Sequence, residues 1–439
     1  MTRTVLRLSL PVVVERLSVS MLSAVDALLV GHYVGSDGVA AVGMGALMFW
    51  IPLAGAFGLD IATTAVVARD YGGGKSDTIE RTMRAAILAA LIWGLAAAVF
   101  LFVLSGPLLT MMGATPEVRA EGIDYMRAAA FGFPGLMLLY AASGILRGLG
   151  NTILSMAIII ILNIVNAAVA FLLISGTIGI ELGTLASGIG YACGGMTGGA
   201  LAMAVLVSGF GPIRYRLDQA FATGREEIRR LLNVGLPSGL EEVQFMAAFI
   251  LYSRIVYGLG TTEVAAHTVA LRTLDVALMP GFALGAAGTT LVSRYLGAGR
   301  PDVAERAART SLAIALGTMF VMGVLLFAFA SQFVSLFVDD PEVVKTGTRL
   351  LRIFAIAFPF MGLHASLGGA LRGAGDNAYV LGVLTFTAWC VRIPVALLCA
   401  FAFGWGAPGA WIGATAENMV RGSLIFRRFH QGAWRDKEV

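Results

Sequence analysis

The sequence predicts an all-α integral membrane protein whose twelve transmembrane helices form two parallel six-helix repeats. Three observations predict this fold class. Hydrophobic residues make up 58% of the 439 residues and charged residues only 13%, whereas an ordinary soluble domain has roughly 45–50% and ~25%. The apolar residues form long runs, and the second half of the chain repeats the first. The same composition argues against a soluble enzyme, a nucleic-acid-binding protein and a disordered regulator.

Twelve apolar runs meet the length of about 20 residues that a membrane-spanning helix needs. They are long and do not alternate with period two, which favours helices over strands. The runs are 8–33, 38–67, 83–108, 123–146, 152–175, 183–209, 228–257, 263–292, 308–331, 346–370, 377–403 and 408–427. The polar stretch at 211–227 follows the sixth run, so we expect a first lobe at 1–210 and a second lobe at 228–439.

The basic residues predict the orientation of these spans. If the amino terminus lies inside, 22 of the 31 Lys and Arg residues fall in inner segments and only five fall in outer ones. Because basic residues are retained on the cytoplasmic side, we expect both termini in the cytoplasm and the chain in the plasma membrane. The net charge of +4 then reflects topology, and no nucleic-acid partner is expected.

The chain matches itself at a constant offset of 225 residues. RDYGGGKSD at 69–77 recurs as RYLGAGRPD at 294–302, and GILRGLG at 144–150 recurs as GALRGAG at 369–375. Because each half holds an even number of spans, both halves enter the membrane from the same side, and the repeats are parallel.

Two such bundles enclose a cavity that rocking would open to each side in turn, which is typical of a secondary transporter. The sequence has no GxxxxGK[ST] loop for ATP and no HExxH or GxSxG motif for an enzyme. The three cysteines, each inside an apolar run, show no metal-binding spacing. We therefore expect neither catalytic residues nor a metal or cofactor.

Several motifs together resemble one transporter family. They are the Leu-Pro pairs at 10–11 and 236–237, the LRGxG elements at 146–150 and 371–375, and the segment WCVRIPVALLCAFAFGWGAPGAW at 389–411. In this order they resemble the multidrug and toxic compound extrusion (MATE) family. The resemblance implies a V-shaped, two-lobed exporter that exchanges protons or sodium for organic, often cationic, compounds. The superfamily also includes flippases for lipid-linked glycans, which remain an alternative. Membrane lipids and small organic substrates are the expected partners, and we expect a monomer.

Asp26 is the strongest candidate for ion coupling. It lies in the middle of the first span, with no Lys or Arg one helical turn away, and an ionisable side chain within a span is costly enough to indicate function. In the MATE family a carboxylate in this context binds the coupling ion. The alternative is a structural carboxylate that caps a helix break or pairs with a buried arginine.

Two amides in the fifth span belong to the same hypothesis. The family's Asn-x-x-x-Asp element is represented by Asn163, but Ala167 stands where the aspartate would be, and Asn166 is an additional amide. Tyr191 stands where the family has a threonine. Sodium prefers several oxygen ligands, so this reduced set favours a proton over sodium. Helix packing is the alternative role for Asn163.

Glu15 and Glu241 each follow the proline of their lobe by four residues, and Glu242 comes next. Three roles remain open for this group. The first is an inner gate in which Glu15 pairs with Arg16 and Glu241 lies beside Glu242. The second is the binding of a cationic substrate, and the third is exposure at the membrane interface.

Other polar side chains are candidates for the substrate cavity or gate. Asp60 lies nine residues before Arg69, within about 13 Å of the inner surface, and has a gate or interfacial role. Arg272 and Asp275 are spaced to pair along one helix face, either as a neutral pair in a wet cavity or as substrate ligands. Tyr140 is expected to line the cavity.

The remaining candidates in the spans are two histidines and three arginines. His267 is expected to be exposed near the outer end of its span, whereas His364 lies deeper and either titrates or packs. Arg147 and Arg372 are expected to anchor to lipid phosphates or helix C-termini. Arg392 is expected to tie helices together within the second lobe.

Overall fold

The structure, a computed structural model, describes residues 1–177, 179, 181–209, 214–219, 223–435 and 437. These residues form helices joined mostly by short turns. The helices of the first half are α1 (Thr2–Tyr33), α2 (Ser36–Gly72), α3 (Ser76–Met111), α4 (Pro116–Ala130), α5 (Phe133–Gly148), α6 (Thr152–Ile174) and α7 (Thr184–Ser208).

The second half follows the same order. Its α-helices are α8 (Arg225–Tyr257), α9 (Thr261–Ala277), α10 (Met279–Gly297), α11 (Pro301–Ala328), α12 (Ala330–Ser335), α13 (Pro341–Ala355), α14 (Phe358–Ala374), α15 (Asn377–Thr387), α16 (Ile393–Leu397) and α17 (Gly406–His430). π-helical turns at Ala388–Arg392 and Leu398–Ala402 flank α16. Each of the twelve predicted runs coincides with one helix, one bent pair or the interrupted helix α15–α16.

Ten spans in the described part of the chain meet the length and hydropathy of a membrane helix. Seven are single helices or the interrupted helix at Asn377–Ala402, and three are bent pairs. The other two predicted spans are α1 and α17, which have 32 and 25 residues but carry more polar side chains. Both are long enough to cross about 30 Å of hydrocarbon.

Each of the three bends in the helix pairs lies beside a proline. α4 and α5 meet at 51°, α13 and α14 at 50°, and α9 and α10 at 41°. Pro134, Pro359 and Pro280 each occupy the first turn after the break, where a missing N–H costs no helical hydrogen bond. A proline therefore marks the second helix of each bent pair.

The internal repeat extends to individual side-chain contacts. Arg127 donates to the Phe102 carbonyl at 3.4 Å, and its guanidinium lies 5.2 Å from the centre of that ring. At the same offset of 225, Arg352 donates to the Phe327 carbonyl at 3.2 Å, with its guanidinium 5.5 Å from the ring. The two halves therefore share local geometry as well as helix order.

The described residues form two compact units. The amino-terminal unit is Val14–Gly239, and the carboxyl-terminal unit is Met1–Val13 together with Leu240–Val439. The boundaries thus fall inside α1 and α8 and not in the polar stretch at 211–227. Of that stretch, residues 211–213 and 220–222 lie outside the described residues. In the part that is described, a hydrogen bond of 3.0 Å from Arg216 lowers the pKa of the Asp218 carboxyl.

Glycines allow the first half of α8 to pack closely on α2 within the amino-terminal unit. A Cβ atom at Gly58 would overlap the main chain of Gly235 and Gly239, and one at Gly239 would touch the Ala54 carbonyl. Gly235 and Gly239 are spaced as GxxxG, the pattern with which membrane helices bring their backbones together. This contact explains why α8 begins in the amino-terminal unit.

Candidate functional site

Three charged side chains from three helices meet in the amino-terminal unit. Arg147 of α5 donates to the carboxylate of Glu15 in α1 at 3.0 Å and forms an ion pair with Asp60 of α2. Their exposures are only 4%, 5% and 7%. Buried charges persist where they are paired, so this Glu15–Arg147–Asp60 triad joins α1, α2 and α5.

The triad corrects three predictions. Glu15 pairs with Arg147 and not with Arg16. Arg147 is buried between carboxylates, so the expected anchoring to lipid phosphates is wrong. Asp60 is likewise buried and paired, which excludes the interfacial role.

Hydrogen bonds connect the triad to α6. The Ser155 hydroxyl donates to the second carboxylate oxygen of Glu15 at 3.3 Å. The Ser18 hydroxyl donates to the Glu15 main-chain carbonyl at 2.8 Å and accepts from the Asn163 side-chain amide at 3.1 Å. Asn163 therefore does take part in packing α6 on α1, although its own carbonyl oxygen is buried without a hydrogen-bond partner.

Arg16 lies beside the triad without joining it. Its guanidinium stands 5.6 Å from the centre of the Phe57 ring, and its Nε is buried without a hydrogen-bond partner. The Phe57 ring packs edge-on against Tyr140 at 5.4 Å. Tyr140, predicted to line a cavity, is half-buried and lies within electrostatic reach of Arg16 and of all three triad members.

Asp26 is buried in α1, with an exposure of 8%. One of its carboxylate oxygens has no hydrogen-bond partner, and the side chain forms no ion pair with any described residue. Two phenols, those of Tyr125 and Tyr191, lie within its electrostatic reach. Both structural alternatives predicted for Asp26, a helix cap and a pair with arginine, are therefore absent among the described residues.

Asn166 lies close to the same part of α7. It is 1% exposed, and neither side-chain polar atom has a hydrogen-bond partner. Cβ atoms placed at Gly190 and Gly194 would lie within 3.0 Å of Asn166, so these glycines let α7 approach the amide. Because Tyr191 follows Gly190, Asp26 and Asn166 both neighbour one turn of α7.

The carboxyl-terminal unit contains a related ion pair. Arg372 of α14 is paired with Glu241 of α8. The expected anchoring of Arg372 to lipid phosphates is therefore wrong, and Glu241 has an arginine partner in addition to its neighbour Glu242. Glu242 is half-buried and acts electrostatically on Arg372. His364, also half-buried, lines a small cavity together with Glu241, Arg372 and Arg421.

A second buried cluster in this unit is built on one carboxylate. Glu417 of α17 is fully buried and pairs with both Arg392 and Arg421. Arg392 lies in a π-helical turn, with its guanidinium 5.4 Å from the Tyr252 ring. Arg392 thus ties helices together within one unit, as the sequence predicts.

His267 corrects another prediction. It was expected to be exposed near the outer end of its span, but its exposure is 0%. The Trp411 indole N–H donates to its Nδ1 at 3.1 Å, and Tyr252 packs edge-on against its ring. Trp411 in α17 covers the histidine, so position along the helix did not determine its burial.

Arg272 and Asp275 are exposed residues of α9. In the described part of the chain they form no ion pair within 4.0 Å, although Arg272 acts electrostatically on Asp275. The predicted neutral pair is therefore absent as a direct contact.

Sequence reasoning did not foresee the partners of the charged residues. Arg147 and Glu417 each contact two opposite charges, and neither cluster was expected. One signal was present: Glu15 and Arg147, and again Glu241 and Arg372, recur as opposite charges in both halves. The amino-terminal unit can bind a proton on its carboxylates or a cation on its carboxylate and amide oxygens. The carboxyl-terminal unit contains more arginines.

Comparison with known proteins places this geometry among transporters. The family model described as MatE matches residues 11–172 and again residues 237–398. The chain is 30% identical to a probable multidrug resistance protein NorM of Xanthomonas axonopodis, over 98% of this chain and 94% of that protein. It is also 30% identical to the multidrug resistance protein PmpM of Pseudomonas aeruginosa, over 90% of this chain and 83% of that protein.

Solved structures share the fold. A MOP superfamily transporter from Pyrococcus furiosus aligns with a TM-score of 0.92 and 22% identity, covering 99% of this chain and 97% of that one. The bent form of the Vibrio cholerae MATE transporter VcmN aligns with a TM-score of 0.89 and 21% identity, covering 98% and 96%. The predicted fold class, an all-α membrane protein built from two repeats, is confirmed.

Proposed function

This chain belongs to the MATE family, whose members are membrane transporters and not enzymes, and we propose that it exports small organic compounds in exchange for protons. Relatives named multidrug resistance proteins align with nearly the whole chain. Their names support organic compounds as the substrate class, including the amphiphilic cations that the resemblance implies.

One observation supports the proton as the coupling ion. Asp26 is a buried carboxylate without an ion pair among the described residues. A buried, unpaired charge is costly, so protonation removes a large penalty and deprotonation requires access to water. The charge of Asp26 can therefore change when its site opens to the other side of the membrane.

The proposed cycle uses this property. Protonation of Asp26 from outside neutralises α1 and favours release of substrate, and loss of the proton inside restores the binding state. Two lobes, at 1–210 and 228–439, would alternate access to the two sides of the plasma membrane. Both termini would be cytoplasmic, and one chain would suffice because both repeats are present in it.

Sodium coupling is the second candidate, and a specific observation favours it. Among the described residues of the amino-terminal unit, three buried carboxylate or amide oxygens lack a hydrogen-bond partner: one each on Asp26, Asn163 and Asn166. Hard cations bind such carboxylate and amide oxygens. The proton remains our proposal because it needs only the single carboxylate.

The test is transport of ethidium by the purified full chain in liposomes. An imposed pH gradient should drive transport in the wild type, whereas a sodium gradient at constant pH should not. Asp26→Asn should lose the response to the pH gradient, while Asp124→Asn, which changes an exposed carboxylate of α4, should keep it. Wild-type pH dependence in Asp26→Asn would overturn the assignment, and stimulation by sodium alone would replace the proton.

A further inference from the structure

The internal repeat distinguishes shared scaffold from a feature of one half only. Glu15 and Arg147 form a buried ion pair in the amino-terminal unit, and Glu241 and Arg372 form the corresponding pair in the carboxyl-terminal unit. Because both halves contain this pair, it belongs to the common architecture.

Asp60 has no such counterpart. At the offset of 225 its position is occupied by Gly285, which packs against the main chain of Ala365. The carboxyl-terminal unit therefore builds the same helix junction without a carboxylate at this position. Asp60 is not required by the architecture, although a buried carboxylate is costly to retain.

In the described part of the chain, two buried carboxylates, Glu15 and Asp60, share one guanidinium. Among the described residues, Arg147 is the single guanidinium within ion-pair distance of both Asp60 and Glu15. Arg16 from α1 reaches them only through space, since its guanidinium rests on Phe57 and forms no ion pair with the described residues.

The remaining polar neighbours are not charged. Tyr140 of α5 is a phenol within electrostatic reach, and Ser155 of α6 donates a hydroxyl to Glu15. Neither can neutralise a carboxylate. Two carboxylates that share one guanidinium in a buried site form an arrangement that can hold a proton between them.

We propose that the Glu15–Arg147–Asp60 triad is a second proton-binding site, which takes up one proton on its carboxylates in each transport cycle in addition to the proton on Asp26. This inference rests on the proposed proton-coupled function. A proton on Glu15 weakens the attachment of α1 to α5, and a proton on Asp60 weakens the attachment of α2 to α5.

The two proton sites are physically linked. Ser18 joins the Glu15 main chain to Asn163 of α6, and Asn166 lies one helical turn further along α6, next to Gly190 of α7. Tyr191, the residue after Gly190, is within reach of Asp26. A shift of α1 at the triad can therefore reach Asp26 along α1 itself and through these neighbouring groups.

The experiment measures the proton-to-substrate ratio in liposomes at zero membrane potential. The ethidium gradient at which net transport stops is recorded against the imposed pH gradient, and its slope is the number of protons per substrate. We expect the slope of Asp60→Asn to be lower than that of the wild type by one proton. The control is Asp124→Asn, which removes an exposed carboxylate of α4 and should leave the slope unchanged.

Asp60→Asn should fold, because the carboxyl-terminal unit forms the same ion pair without this carboxylate. Infrared difference spectra between acidic and alkaline buffer supply a readout that does not need transport. A carbonyl band of a protonated carboxylic acid should be lost in Asp60→Asn and retained in Asp124→Asn. An unchanged slope and an unchanged band in Asp60→Asn would overturn the second site. A wild type that ignores the pH gradient but retains the Asp60-dependent band would instead overturn only the proposed coupling.

Discussion

The Thr64 hydroxyl donates a hydrogen bond to the main-chain carbonyl of Gly144 at 3.2 Å. At the offset of 225, Thr289 donates to the Gly369 carbonyl at 2.9 Å. In each half this contact joins the helix after the first span to the helix that carries the LRGxG arginine. The glycines let these helices approach, so the arginine of each ion pair is positioned by backbone packing.

Gly369→Ala should therefore destabilise the protein. A methyl group at Gly369 would overlap the main chain of Gly285, and overpacking of this kind costs typically ~1–3 kcal/mol. The measurement is the thermal unfolding temperature of the purified protein in detergent. The control is Gly317→Ala in α11, where a Cβ atom meets open space and the change should be neutral or stabilising by up to ~1 kcal/mol. Equal melting temperatures for the two variants would contradict the packing argument.

The cluster around Glu417 predicts an asymmetric effect of substitution. Glu417→Gln leaves both Arg392 and Arg421 without their carboxylate, and loss of one partner of a buried ion pair costs about 3–5 kcal/mol. Arg421→Gln should cost less, because Glu417 keeps its pair with Arg392. Denaturation of the two variants side by side checks the order. Greater loss in Arg421→Gln would show that Glu417 is not the centre of the cluster.

The histidine in α9 is predicted to be structural. His267→Ala leaves the buried Trp411 N–H without its acceptor, which costs about 1–3 kcal/mol. Since no carboxylate is removed, the pH dependence of transport in liposomes should match that of the wild type even though the melting temperature falls. A shifted pH profile would instead give His267 a part in proton transfer.

The helices and the repeat could be predicted because both depend on local sequence. A run of about 20 apolar residues is a span wherever it packs, and prolines such as Pro134 and Pro359 bend a helix through their own backbone. The offset of 225 is likewise visible in the letters alone.

The partners of buried charges could not be predicted, because they depend on which helices are neighbours. Arg147 was assigned to the inner surface from its position at the end of a span, but its partner Glu15 is 132 residues away in sequence. The prediction that His267 is exposed was wrong for the same reason, because Trp411, which covers it, is 144 residues away in sequence. The depth of a residue in the membrane can be predicted from its own helix, whereas its burial depends on which other helices pack against it.

The most direct test of the central claim is substrate-driven proton movement. Liposomes that contain the wild-type protein and an internal pH dye are given an outward ethidium gradient without sodium and at zero membrane potential. We predict that protons enter as ethidium leaves, and that Asp26→Asn abolishes this proton flux. Proton flux of wild-type size in Asp26→Asn, or ethidium efflux by the wild type that moves no protons and requires added sodium, would contradict the account.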